Sequence, residues 1–286
     1  MLYHRVAEPI HGVETPTLNV PPLQLRRQLA GLLARGFVAW PLTELVKARH
    51  ESRTIPANVF AVTFDDGYEN NYWHAWPILR ELNVPATIFV ATKYVDTDRP
   101  FPFDDWSASG SSRVPPSTWR PLSSSQCDEM LADGLIELGA HTHSHGRFLG
   151  RCDEFRRDLR LCLDVMRDRF GIERPTFAFP YGDLSPELVE AAKELGVACC
   201  LSTRRQRVRS GDDAYLWGRF DVEPSDSPEV LAAKLSGWYS ALASTGRTLM
   251  RPFAGLARMA DHSSSNRLPG IAYREVPHTR KAVSQP

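Results

Sequence analysis

The segment Ala61-Val62-Thr63-Phe64-Asp65-Asp66-Gly67 limits the fold more than any other part of the chain. The apolar run over residues 59–64 has the length and composition of a buried strand. It stops at two adjacent carboxylates and a glycine, and a helical pattern comes next over residues 70–82. A second apolar strand, residues 135–140, stops at His141-Thr142-His143-Ser144-His145. The same order recurs along the chain. Strands are read at residues 2–6, 37–40, 86–91, 176–179, 197–201 and 215–222. Helices are read at 21–35, 42–50, 123–132, 152–170, 185–195 and 228–242. Strand followed by helix implies parallel strands joined by helical crossovers. Seven to eight such strands suit a closed α/β barrel, whose chemistry sits at the C-terminal ends of its strands. Both polar clusters fall at such ends.

At 286 residues the chain is long enough for one barrel of this kind. The expected barrel domain covers residues 1–247. Beyond it, residues 248–286 lose apolar periodicity and are expected to be a disordered tail. Lys plus Arg and Asp plus Glu both number 34, so the formal net charge is zero. That balance argues against a nucleic-acid or anionic-membrane partner, which would need an excess of cations. The five cysteines are odd in number and have no C-x-x-C spacing, so they read as reduced thiols. No apolar run is long enough to span a bilayer, and no basic-then-apolar export signal opens the chain. The expected compartment is therefore the cytoplasm. Residues 97–122, rich in Pro, Ser, Asp and aromatics, are too long for a plain connection and read as a functional loop.

Asp65 and Asp66 can be a simple Asp-Gly turn. At the end of a buried strand, however, two neighbouring carboxylates repel, and a cation beside them relieves that repulsion. One can ligate a metal while the other faces a water. His141 and His145 lie four apart and can converge if the loop bends back, whereas His143 alternates away from them. A third segment, Phe177-Ala178-Phe179-Pro180-Tyr181-Gly182, ends a strand in a turn. Tyr181, with Pro180 before it, is a candidate to line a substrate pocket and to offer a backbone N–H to a developing oxyanion.

Together these three segments resemble the opening motifs of the polysaccharide deacetylases, carbohydrate esterase family 4 with its NodB-homology domain. The resemblance runs from Met1 to about Ala243. It implies a distorted (β/α) barrel and hydrolytic removal of N-acetyl, or O-acetyl, groups from a polysaccharide. By the same resemblance Asp66, His141 and His145 hold one divalent metal ion, zinc being the first choice, and Asp65 is the general base. The implied partner is an acetylated glycan or a lipid-linked sugar precursor.

Two positions depart from the family pattern. Ala178 stands where the third motif usually carries an arginine, leaving Arg219, at another strand end, as a candidate to orient Asp65. The usual C-terminal catalytic histidine is missing, since His262 and His278 lie in the unpatterned tail. One subgroup instead carries an N-terminal Tyr-His. Leu2-Tyr3-His4-Arg5-Val6 fits it, which makes His4 the candidate general acid. Two other functions compete: an amidase on a small linear or cyclic amide, and an inactive deacetylase-like carbohydrate-binding protein. Trp73, Trp76, Trp106 and Trp119, with Tyr181, favour a sugar surface.

Overall fold

A parallel sheet, curled on itself, carries the molecule. The computed structural model describes residues 1–16, 18–108 and 113–237. Its strands are β1 (Leu2–Tyr3), β2 (Val38–Ala39), β3 (Val59–Phe60), β4 (Val62–Phe64), β5 (Ala86–Val90), β6 (Ile136–Ala140), β7 (Phe177–Ala178) and β8 (Cys200–Leu201). Its helices are α1 (Pro22–Leu33), α2 (Leu42–His50), α3 (Trp76–Leu82), α4 (Asp105–Ala108), α5 (Ser124–Ala132), α6 (Cys152–Phe170), α7 (Pro186–Glu194) and α8 (Pro228–Ser236).

Six strands pair in the order β1-β4-β5-β6-β7-β8, all parallel. Val62 aligns with Ala86, Ala86 with Ile136, and Ala140 with Phe177. Parallel pairing puts every C-terminal strand end on one rim, so the residues just beyond Phe64, Ala140 and Ala178 gather there. β5 buries all five of its residues, as expected where both faces of a sheet are covered.

The sheet edges meet through the segment read as the last strand. Residues 215–222 form no continuous strand, but they bridge β8 at Trp217 and β1 at Asp221. Leu2 N–H donates to Phe220 C=O and Val222 N–H to Leu2 C=O, linking the edges into a distorted barrel. One expected barrel strand falls elsewhere. β2, within residues 37–40, pairs only with β3 in a separate two-stranded sheet.

The helices arise from local chemistry. In α6, Phe155, Leu159, Cys162 and Met166 recur at helical spacing and are the buried residues. Gly171, at φ 67°, supplies the left-handed residue that ends it. Ser123 and Gln126 form a reciprocal capping box at α5. Ser185 caps α7, with Pro186 at its first position. The helix expected over residues 70–82 opens instead with a π-type turn, Asn71–Ala75, before α3. All five cysteines are free thiols. No helix among the described residues is long and apolar enough to cross a membrane. The helix expected to run to residue 242 ends instead at Ser236, where Gly237 takes left-handed backbone at φ 87°; the tail expected from residue 248 lies outside the described residues.

Candidate active site

Asp65 and Asp66 stand immediately beyond β4, and His141 immediately beyond β6. The loop after His141 turns back sharply. Thr142 and His145 both adopt left-handed backbone, at φ 63° and 55°, and His145 N–H donates to Thr142 Oγ1 at 3.0 Å. Asp158 on α6 accepts from the backbone N–H groups of His143 and Ser144, at 2.7 and 3.1 Å, and holds the turn. His143 points away and meets Thr92 Oγ1 at 3.0 Å.

This bend brings His145 back beside His141. Asp66 Oδ1 lies 3.5 Å from His141 Nε2 and 3.1 Å from His145 Nε2. One ligand atom from each of these three buried residues falls within a 4.8 Å span, the spacing of atoms around a common ion. His141 Nδ1 donates to the Ala178 carbonyl at 2.8 Å, which turns the Nε2 lone pair toward Asp66. One carboxylate and two imidazoles are a donor set that fits a divalent metal ion.

Asp65 is held differently. Arg219 grips it with both ends of its guanidinium, Nη1 to Oδ1 at 2.6 Å and Nη2 to Oδ2 at 2.8 Å. Nη1 also donates to Thr63 Oγ1, and Nε to the Ser202 carbonyl. The arginine missing at Ala178 therefore has a counterpart two sheet positions away, on the segment that joins the edges. A planar fork matched to a carboxylate fixes its orientation as well as its charge.

The electrostatics reflect this arrangement. Burial alone pushes the Asp66 carboxyl up, but the adjacent imidazoles of His141 and His145 outweigh it and hold the group well below the usual range. Burial likewise opposes ionisation of Asp65, yet the charge of Arg219 holds it below its ordinary value. The two imidazoles move in opposite directions. Burial lowers His145 below its ordinary value, with Asp66 pulling the other way. Burial also works against the His141 proton, but Asp65 and Asp66 overcome it and raise the group. Among the described residues the pocket is lined by the carboxylates of Asp65, Asp66, Asp105, Asp221 and Glu223 and by one guanidinium, Arg5, a setting that favours a cation.

These side chains line a cavity of about 440 Å³. His4 and Tyr181 line it too, as do Phe103 and Tyr68. His4 comes directly after β1, and the structure places it on the same cavity as Asp65 and Asp66 while leaving it outside the three-ligand cluster. Pro180 is buried in a tight turn, and Tyr181 adopts φ 59° with its side chain partly exposed. The Arg147 guanidinium lies 3.7 Å from the centre of the Tyr181 ring. Among the described residues seven non-glycine residues have positive φ, and Asp66, Thr142, His145 and Tyr181 are among them. Such conformations cost about 1–3 kcal/mol each and cluster where geometry is fixed for function.

The four tryptophans singled out from the sequence stand away from the cavity. Trp106 is 1% exposed and packs with Ala7 and Val114, with Trp119 beside them. Trp76 donates to Asp133, and Trp73 is 54% exposed; none of the four lines the cavity. Phe103 and Tyr68 take that place. Sequence reading missed Phe103 and Asp104, since residues 97–122 have no periodicity to exploit, and Tyr68 and Arg5, whose contacts with that segment are long-range.

A barrel with such a rim defines a class of hydrolase-like α/β proteins, and comparison with known proteins names the family. The polysaccharide deacetylase family model matches residues 52–200, and the chain belongs to that family. A poly-beta-1,6-N-acetyl-D-glucosamine N-deacetylase of Staphylococcus epidermidis is 23% identical over 255 residues, covering 82% of each chain. The protein of that name from Escherichia coli K12 is 25% identical over 210 residues, and the matched part is only 30% of its length. Among solved structures, IcaB from Ammonifex degensii is 26% identical with a TM-score of 0.68, covering 82% of this chain and 95% of that one. The Streptococcus pyogenes deacetylase PplD, solved with acetate, has a TM-score of 0.67 at 19% identity over 82% of this chain and 96% of its own, a likeness of fold.

Proposed function

We propose that this chain hydrolyses N-acetyl groups on a β-1,6-linked N-acetylglucosamine polymer, with its catalytic module in residues 1–247. The observation that carries this reading is the buried Asp66-His141-His145 cluster beside the Asp65–Arg219 pair. The names of the matched relatives supply the substrate class and favour a polymer over a lipid-linked precursor. A cavity of about 440 Å³ is in the range of small-ligand clefts, about 300–1,000 Å³, enough for a short stretch of sugar chain.

Asp66, His141 and His145 would hold a zinc-class dication. When bound, the ion supplies Lewis-acid polarisation of the acetyl carbonyl and makes a nearby water more acidic. The chain's own residues do the rest. Asp65, kept ionised by Arg219, accepts a proton from the attacking water as its oxygen bonds to the acetyl carbon. The Tyr181 N–H donates to the oxygen that gains charge. His4 gives a proton to the departing sugar nitrogen as the C–N bond breaks, so the products are acetate and a free amine. The ring of Tyr181, steadied by Arg147, covers the edge of the pocket.

The experiment is acetate release from β-1,6-linked N-acetylglucosamine oligomers with added Zn²⁺, against β-1,4-linked oligomers of equal length. The reading predicts acetate in step with new primary amines, faster on the β-1,6 chain. Equal or greater release from the β-1,4 chain rejects the proposed linkage, and no acetate from either rejects the activity.

A further inference from the structure

The two histidines of the cluster are oriented by different means. His141 is fixed through Nδ1 by the Ala178 carbonyl. His145 Nδ1 is buried and has no hydrogen-bond partner. The outer torsion of a histidine is broad, and an N–H hydrogen bond usually sets the ring of a metal-binding histidine. Something else must hold this ring.

That restraint is aromatic. The Phe103 ring stacks on His145 with centroids 3.9 Å apart and planes 28° apart. Tyr181 meets the same imidazole edgewise at 4.7 Å. Rotating the imidazole out of line would drive it into one of these rings. Phe103 itself is delivered by anchors on both sides in sequence. Phe101 is buried, stacks on Phe103 at 5.1 Å, and meets Tyr68 and Tyr94 edgewise. Asp104 is buried, pairs with Arg5 and accepts from the Tyr68 hydroxyl at 3.1 Å. The Arg5 guanidinium in turn lies over the Tyr68 and Trp106 rings, at 4.4 and 5.2 Å.

We propose that Phe103 is a positioning residue that orients His145 for metal binding by ring stacking, and that the Arg5–Asp104–Tyr68 lock presents it. This inference rests on the metal-dependent reading above. The segment over residues 101–104 thereby contributes to the affinity of a site it does not ligate.

The test is Zn²⁺ affinity of metal-stripped protein, measured by competition with a chromophoric chelator. Phe103→Leu keeps apolar bulk but removes the stacked ring, and affinity is expected to fall about 10–100-fold, the usual loss when a supporting group of a ligand is removed. Phe103→Tyr restores the ring and is expected to bind as the wild type does. Asp104→Asn loosens the anchor and is expected to shift affinity the same way by less. The thermal midpoints of the metal-free Phe103 variants should match the wild type, separating ring orientation from a general loss of folding. Wild-type affinity in Phe103→Leu overturns the inference and leaves the deacetylase reading standing. A wild-type protein that binds no Zn²⁺ overturns both.

Discussion

The strand-borne half of the site and its loop-borne half are held by different forces. Asp65, Asp66 and His141 sit directly on strand ends, and their partners are strong and directional: the Arg219 fork and the Ala178 carbonyl. His145, Tyr181 and Phe103 come from loops and are fixed among themselves by ring contacts. A strand end is positioned by the whole sheet, so one hydrogen bond suffices to aim its side chain. A loop has no such frame, and stacking substitutes for it. Placing half the pocket on loops leaves its shape open to change without disturbing the barrel.

If the strand-borne half carries the chemistry, damage there should cost most. Asp65→Asn keeps the shape of the group but cannot accept the proton, so acetate release is expected to fall about 10²–10⁴-fold while bound metal is unchanged. Measured metal content separates this from loss of the ion.

Arg219→Ala should act on the fold as well. It strands a buried carboxylate without its counter-charge, which costs about 3–5 kcal/mol in comparable cases. Urea unfolding of the metal-free protein measures it. The pH dependence has a definite sign. Asp65 ionises more readily in the folded chain than in the unfolded one, where an aspartate has a pKa of about 3.9. Its stabilising contribution is complete above that value and fades as pH falls through the lower folded one. The gap between wild type and Arg219→Ala should narrow in acid.

The weakest response belongs to a residue outside both halves. Trp73→Ala, at an exposed ring away from the cavity, should leave unfolding free energy within about 0.5 kcal/mol and acetate release unchanged. A large loss of activity would restore the tryptophans as a sugar surface.

Much of the strand-borne half was legible in the sequence. A buried strand, two carboxylates and a glycine are local signals, and parallel topology carries them to one rim without further information. Helix α6 matches the expected bounds, residues 152–170, because its four buried residues keep strict helical spacing. The segment over 215–222 was harder. Its apolar content reads as a strand, but at Gly218 the backbone approaches the Arg204 carbonyl too closely for any side chain, and only two bridge positions survive. Arg219 could be named from sequence only as a candidate, since its pairing with Asp65 spans 154 residues. The contact of Phe103 with His145 leaves no sequence trace, because packing between two loops has no period. Composition alone does not say which tryptophans line a pocket: Trp106 is drawn into the core, as a large apolar ring gains by burial, while Trp73 stays 54% exposed and away from the cavity.

The proposed site depends on Asp66 joining two imidazoles around one ion. Zinc titration by calorimetry into metal-stripped wild type and Asp66→Ala is the decisive measurement. One Zn²⁺ per wild-type chain, and no comparable binding in Asp66→Ala, is the expected result. Equal stoichiometry and affinity in the two proteins would contradict it.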